Sequence, residues 1–207
     1  MKASINYALY LIADQCVMKG KSFIEAVEEA IQGGVTVVQL REKASTTLEF
    51  YEMASQIRLL TSRYEIPLII NDRLDIAMAV DADGVHLGQQ DLPAKAARGI
   101  LGEHKLLGVS TATLKEALTA QEDGADYIGV GALFPTNTKD NTRMVTLEQI
   151  KLIKKTLEIP VVGIGGINET NIEDVKLTGI DGAAVASAIL AAESVRGAAN
   201  RLSYLFK

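Results

Sequence analysis

Polar residues that can hold anions and hard cations recur directly after short apolar runs in this chain. Arg41 and Lys43 follow "VVQL", Asp72 and Arg73 follow "LIIN", Asp91 closes "HLGQQD", and "GALFP" leads into Thr136-x-Thr138-Lys139. Arginine offers a bidentate fork to phosphate and lysine a point charge, so Arg41, Lys43 and Lys139 together suit the neutralisation of a pyrophosphate group as its charge develops. Asp72 and Asp91 supply the one or two carboxylates that Mg²⁺ usually takes alongside substrate phosphates and water. The expected site therefore holds a polyphosphate and Mg²⁺, and it works by electrostatic stabilisation. A covalent or zinc mechanism finds no support, because the only histidines are His86 and His104, Cys16 is the single cysteine, and no phosphate-binding P-loop pattern occurs.

Each of these residues also has a plainer reading. Arg41 and Lys43 would serve as solvated charges, Asp72 as a cap for a helix near Leu74, and Asp91, two residues before Pro93, as an N-cap. Gly165-Gly166 would simply turn the chain, although paired glycines also let backbone N–H groups approach a phosphate. His86 reads as a packed histidine of the interior. What argues for chemistry is the joint presence of four cations (Arg41, Lys43, Arg73, Lys139) and two carboxylates at equivalent places.

The elements that must position them follow from periodicity. Runs rich in β-branched and apolar residues at 8–13, 35–41, 67–71, 84–87, 106–110, 127–131, 160–164 and 182–186 read as strands. Between them, Phe23-Ile24…Val27…Ala30-Ile31, Phe50…Met53-Ala54…Ile57, Leu114…Ala117-Leu118 and Ile150…Ile153 place apolar groups on one helical stripe. Ser22 and Thr46 or Thr47 are N-cap candidates, and Gly33-Gly34, Gly102, Gly124 and Gly179 stand where helices should stop. The eightfold alternation predicts an α/β fold, a single (β/α)₈ TIM barrel over residues 1–207, with a doubly wound open sheet as the structural alternative. In a barrel the site lies at the C-terminal ends of the strands, where all the residues named above fall.

Composition narrows the function classes. With 48% apolar and 23% charged residues the chain is ordinary globular material. A net charge of −5 speaks against nucleic acid, so cations for an anionic ligand must be local. No apolar run reaches the roughly 18 residues of a membrane span, and the lone cysteine and absence of a signal-peptide pattern make the cytoplasm the expected compartment. The partners expected are small-molecule substrates, not nucleic acid or membrane, and a homo-oligomer is compatible with the sequence.

Six stretches in fixed order, "VQLREK" (38–43), "INDR" (70–73), "ADGVHLGQQD" (82–91), "GADYIGVG" (124–131), "FPTNTK" (134–139) and "IGGI" (164–167), make the chain resemble the thiamine-phosphate synthase family. That resemblance implies transfer of a 4-amino-2-methylpyrimidin-5-ylmethyl group from its diphosphate to the ring nitrogen of thiazole phosphate, by departure of pyrophosphate before capture. It further implies that Gln39, Arg41, Lys43, Asn71, Ser110 and Lys139 contact the pyrimidine diphosphate. Thr136 and Thr138, with backbone near Gly166 and Ser187, would hold the thiazole phosphate, and Asp72 and Asp91 the Mg²⁺. One departure stands out: many relatives carry histidine where this chain has Ala112. A related thiazole tautomerase would need that imidazole as its acid/base, and a non-catalytic phosphate-binding paralogue would need none of the metal pair.

Overall fold

The computed structural model describes residues 5–18, 22–136 and 143–206. Eight parallel strands close into a barrel in sequence order: β1 (Leu9–Asp14), β2 (Val37–Arg41), β3 (Leu68–Asn71), β4 (Gly84–Leu87), β5 (Leu106–Thr111), β6 (Tyr127–Val130), β7 (Val161–Ile164) and β8 (Gly182–Val185). The open-sheet alternative is thereby excluded, since β1 pairs with both β2 and β8. The helices are α1 (Phe23–Gln32), α2 (Thr47–Arg63), α3 (Leu74–Ala79), α4 (Ala94–Leu101), α5 (Leu114–Glu122), α6 (Leu147–Thr156), α7 (Ile172–Lys176), α8 (Ser187–Leu190) and α9 (Val195–Phe206). Every strand lies within two residues of its expected position. Thr46, not Thr47, caps α2 in a capping box with Glu49, whereas Ser22 precedes α1 without a side-chain cap bond.

Both faces of each strand are buried, which is why the strands read as near-continuous apolar runs rather than alternating ones. Outward residues such as Leu11, Leu40, Ile70, Leu107 and Ile128 pack beneath the helices. Inward residues, among them Tyr10, Val37, Ile69, Leu106, Tyr127 and Val162, fill a separate core inside the barrel. The inner core carries three tyrosines, Tyr7, Tyr10 and Tyr127.

At the N-terminal face one device recurs four times. The residue just before each even strand, Thr36, Asp83, Asp126 or Asp181, accepts a side-chain hydrogen bond from a backbone N–H near the start of the preceding odd strand, at Leu9, Leu68, Leu107 or Val161 (2.7–3.2 Å). The same four residues donate their own N–H back to the carbonyls of those strand residues. Each aspartate is also paired with a cation on the helix before the odd strand: Arg58 with Asp83, Arg98 with Asp126, and Lys154 with Asp181. This face is pinned, leaving the opposite rim to carry chemistry.

Candidate active site

The C-terminal rim gathers the expected groups from adjacent strands. Gln39 and Arg41 lie two residues apart in β2, so period-two alternation puts both on the inner side. Arg41 is ion-paired with Asp14, its register partner at the end of β1, and Asp14 is almost fully buried. A second Asp14 oxygen accepts the Cys16 N–H at 2.9 Å. This aspartate fixes the guanidinium from behind and was absent from the sequence-derived site. The signal was there: Asp14 ends the first apolar run, as Arg41 ends the second.

Lys43 reaches Asp72 in the β3–α3 turn, forming an ion pair between neighbouring tips. Asp72 has φ of 62°, the left-handed region that aspartate tolerates better than most residues, and its N–H bonds to the His86 carbonyl (2.8 Å). Asp91 lies across the β4–α4 loop, where Oδ2 accepts the Gly88 N–H at 2.6 Å. The two carboxyl groups lie close enough to act on each other. Burial works to raise Asp72, but Lys43 and the neighbouring Asp91 carboxyl outweigh it and hold the group below the usual carboxylate range. Asp91 is pushed up by burial and by the neighbouring Asp72 carboxyl. Neither aspartate is a helix cap: α3 is preceded by Arg73 and α4 by Pro93, neither with a side-chain cap bond. Asn71, also expected here, is buried at the end of β3.

Arg73 does not join the cationic rim. Its fork is taken by Asp75 (2.8 and 2.5 Å), and it reaches back to Thr47 at 3.1 Å on α2. The sequence pattern had grouped it with Arg41 and Lys43, but a residue placed just before a helix finds the acidic first turn of that helix within reach.

Ser110, in β5, faces the interior, where its Oγ lies 2.9 Å from His86 Nε2. Its carbonyl accepts from Gln89 at 2.8 Å. Ala112 contributes only backbone here, its N–H bonding Glu116 (2.8 Å).

On the far side of the mouth, the β6 and β7 tips are sewn together. Leu133 and Phe134 donate to the carbonyls of Ile164 and Gly165 (3.0 Å each). Gly166 has φ of 65°, and a Cβ there would meet the Pro135 carbonyl oxygen at 2.5 Å, so only glycine lets the Phe134–Pro135 segment close on it. The Gly166 carbonyl is taken by the Asn168 and Asn171 side-chain amides (3.1 and 3.0 Å). Thr136, half-buried, comes next to this turn, and Ser187 is exposed at the start of α8. Thr138 and Lys139 lie outside the described residues.

The arrangement can do two things chemically. The tips of β1 to β5 offer a guanidinium, an ammonium, two carboxylates and a serine hydroxyl within one arc, suited to a polyanion with a hard cation. The tips of β6 to β8 offer a glycine turn and hydroxyls, suited to a second phosphate. A cavity of about 450 Å³ opens beside Asp91, between the β4–α4 loop and α5. It borders this arc through Gln89 and Asp91 but includes none of the cations of the rim.

Residues 9–189 match the family model of thiamine monophosphate synthase. The thiamine-phosphate synthase of Alkaliphilus oremlandii is 57% identical over 99% of this chain and 98% of its own length. That of Clostridium tetani is 52% identical over 98% and 97%. The solved structure of thiamine phosphate pyrophosphorylase from Pyrococcus furiosus superposes with a TM-score of 0.90 at 42% identity, covering 97% of this chain and 96% of that one. A match that enters at the first strand and leaves beyond the eighth covers every tip of the rim, and on that ground the chain belongs to the thiamine monophosphate synthase family.

Proposed function

We propose that residues 1–207 act as one barrel enzyme, a transferase that joins 4-amino-2-methyl-5-pyrimidinylmethyl diphosphate to thiazole phosphate, giving thiamine phosphate and pyrophosphate. The observation that carries this reading is the chain of contacts across three neighbouring tips, Lys43 to Asp72 to Asp91, beside Arg41 held by Asp14. It assembles in one place what a departing diphosphate needs, and family membership supplies the substrates.

Asp72 and Asp91 fit Mg²⁺. Both offer oxygen, they lie close enough to act on each other, and no cluster of three or more His, Cys, Asp or Glu among the described residues competes as a metal centre. When bound, the ion would supply charge neutralisation on the diphosphate oxygens. Arg41, Lys43 and Lys139 add fixed positive charge at the same group, and Ser110 adds a hydroxyl. Such groups lower the barrier when they meet charge that grows as the carbon–oxygen bond breaks. Gln39 and Asn71, buried beneath the mouth, orient the pyrimidine. Thr136, Thr138, Gly166 and Ser187 hold the thiazole phosphate, so that its ring nitrogen faces the carbon from which pyrophosphate leaves. The two half-sites meet at "TNTK", where Thr136 and Thr138 serve one substrate and Lys139 the other.

The lone cysteine fits a reducing compartment, and the cytoplasm is the one proposed; among the described residues no helix is long and apolar enough to cross a membrane. No observation favours the isomerase, since residue 112 contributes a methyl group and a backbone bond to Glu116. The test is direct: purified protein mixed with both substrates should form thiamine phosphate and pyrophosphate in equal amounts with Mg²⁺ and neither with a chelator. Binding of both substrates without turnover under any divalent metal would sink the transferase reading.

A further inference from the structure

The inner core of the barrel contains a continuous hydrogen-bond chain. Gln39 Nε2 donates to the Tyr10 hydroxyl (2.8 Å), Tyr10 and Tyr127 hydroxyls are 2.7 Å apart, Tyr127 is 3.1 Å from His86 Nδ1, and His86 Nε2 is 2.9 Å from Ser110 Oγ. Gln39, Tyr10, Tyr127 and His86 are all buried. The chain thus runs from one rim residue, through the barrel, to another. Room for it is made by glycine: a Cβ at Gly108 would lie 2.2 Å from the Tyr127 ring and 2.5 Å from His86 Nδ1, and one at Gly129 would lie 3.2 Å from His86 Cε1.

We infer that this chain fixes the direction of every proton in it and makes Ser110 a hydrogen-bond donor toward the mouth, with Tyr127 and His86 as positioning residues. The reasoning is one of counting protons. The amide nitrogen of Gln39 only donates, so the Tyr10 oxygen accepts from it. Tyr10 has one proton, and the acceptor beside it among the described residues is Tyr127. Tyr127 must then send its own proton to His86 Nδ1. With Nδ1 accepting, the ring carries its hydrogen on Nε2. Nε2–H donates to Ser110 Oγ, and the serine hydrogen is left to point outward. Burial raises both phenols well above the ordinary tyrosine range, so neither gives up its proton.

The opposite orientation of the Gln39 amide would reverse each link and turn Ser110 into an acceptor, which an anionic substrate group repels. Gln39 therefore does more than line the pocket: through four hydrogen bonds it decides the polarity of a hydroxyl on the other side of the barrel. The consequence for turnover rests on the reading above, in which Ser110 meets the diphosphate; the proton order does not.

Nitrogen NMR of the labelled protein without substrates tests the proton order, with His104→Gln used to assign the two imidazoles. His86 should show a pyridine-type Nδ1 and a pyrrole-type Nε2, and Tyr127→Phe should abolish that pattern. A pyrrole-type Nδ1 overturns the inference whatever the protein catalyses. Turnover tests its use. Ser110→Ala and His86→Ala should each lower kcat/KM for the diphosphate substrate by roughly ten- to a hundredfold, the effect of losing a hydrogen bond to a charged group. The double variant should be no worse than Ser110→Ala alone, and His86→Gln, which keeps an N–H near Ser110, should recover most of the rate. Additive losses in variants that melt like the parent would show that His86 does not act through Ser110.

Discussion

Asp72 and Asp91 lie close together, with Lys43 acting on both. The raised Asp91 means that its charged form is less favourable in the folded protein than in the unfolded chain. A group of that kind stabilises the fold in acid and loses this contribution as pH rises through its folded value. Asp91→Asn should therefore raise the melting temperature at neutral pH, by on the order of one or two degrees, while abolishing Mg²⁺-dependent turnover. The asparagine carbonyl still accepts the Gly88 N–H, so calorimetry and a turnover assay on one variant separate the two effects. Unchanged turnover would remove Asp91 from the metal pair. Asp14 meets the rim through Arg41, its other bond going to the Cys16 N–H, so Asp14→Ala should raise KM for the diphosphate substrate about tenfold with a smaller change in the affinity for thiazole phosphate, the loss of a guanidinium held in place. Equal weakening of both substrates would show that Asp14 supports the rim in general.

At the scale of elements, β5 shows how one strand serves two cores. Leu106, Gly108 and Ser110 face inward; Leu107, Val109 and Thr111 face the helices. Gly108→Ala would drive a methyl group into the Tyr127 ring, with no rotamer to relieve it, and should cost about 2–4 kcal/mol by chemical denaturation. Thr111 presents the reverse case, a buried hydroxyl without a hydrogen-bond partner among the described residues. Thr111→Val removes an unsatisfied polar atom at nearly constant shape and should be neutral or stabilising by up to about 1 kcal/mol. A loss of stability there would mean that the hydroxyl has a partner in solution.

Across the whole molecule the two faces of the barrel divide the labour. The N-terminal pins at Asp83, Asp126 and Asp181 bond backbone near the starts of β3, β5 and β7, at the end of the barrel opposite the rim. Asp126→Ala should lower stability by about 2 kcal/mol, because the Leu107 N–H loses a charged acceptor while Arg98 keeps its bonds to the carbonyls of Gly102, Lys105 and Gly124. In a chain of this size that is a fall of roughly 4–8 °C in Tm, with kcat at 25 °C unchanged. A parallel loss of kcat would couple the faces.

Strand count, strand positions and the rim location of Gln39, Arg41, Lys43, Asn71, Asp72, Asp91 and Ser110 were legible from sequence alone, because periodicity and turn chemistry are local and each tip follows its own apolar run. The amino-acid order also carried the family, since six short stretches in fixed order leave few other readings. What only the tertiary structure decided were pairings between elements far apart in the chain. Pairing of β1 with β2 sets Asp14 behind Arg41, and closure of the barrel puts Tyr127 between Tyr10 and His86. A side chain's partner depends on which strands lie side by side and on how far each is shifted along its neighbour. Neither quantity is written in any single stretch of residues, so His86, read from sequence as a packed histidine, became a link between two rim residues once the barrel had closed.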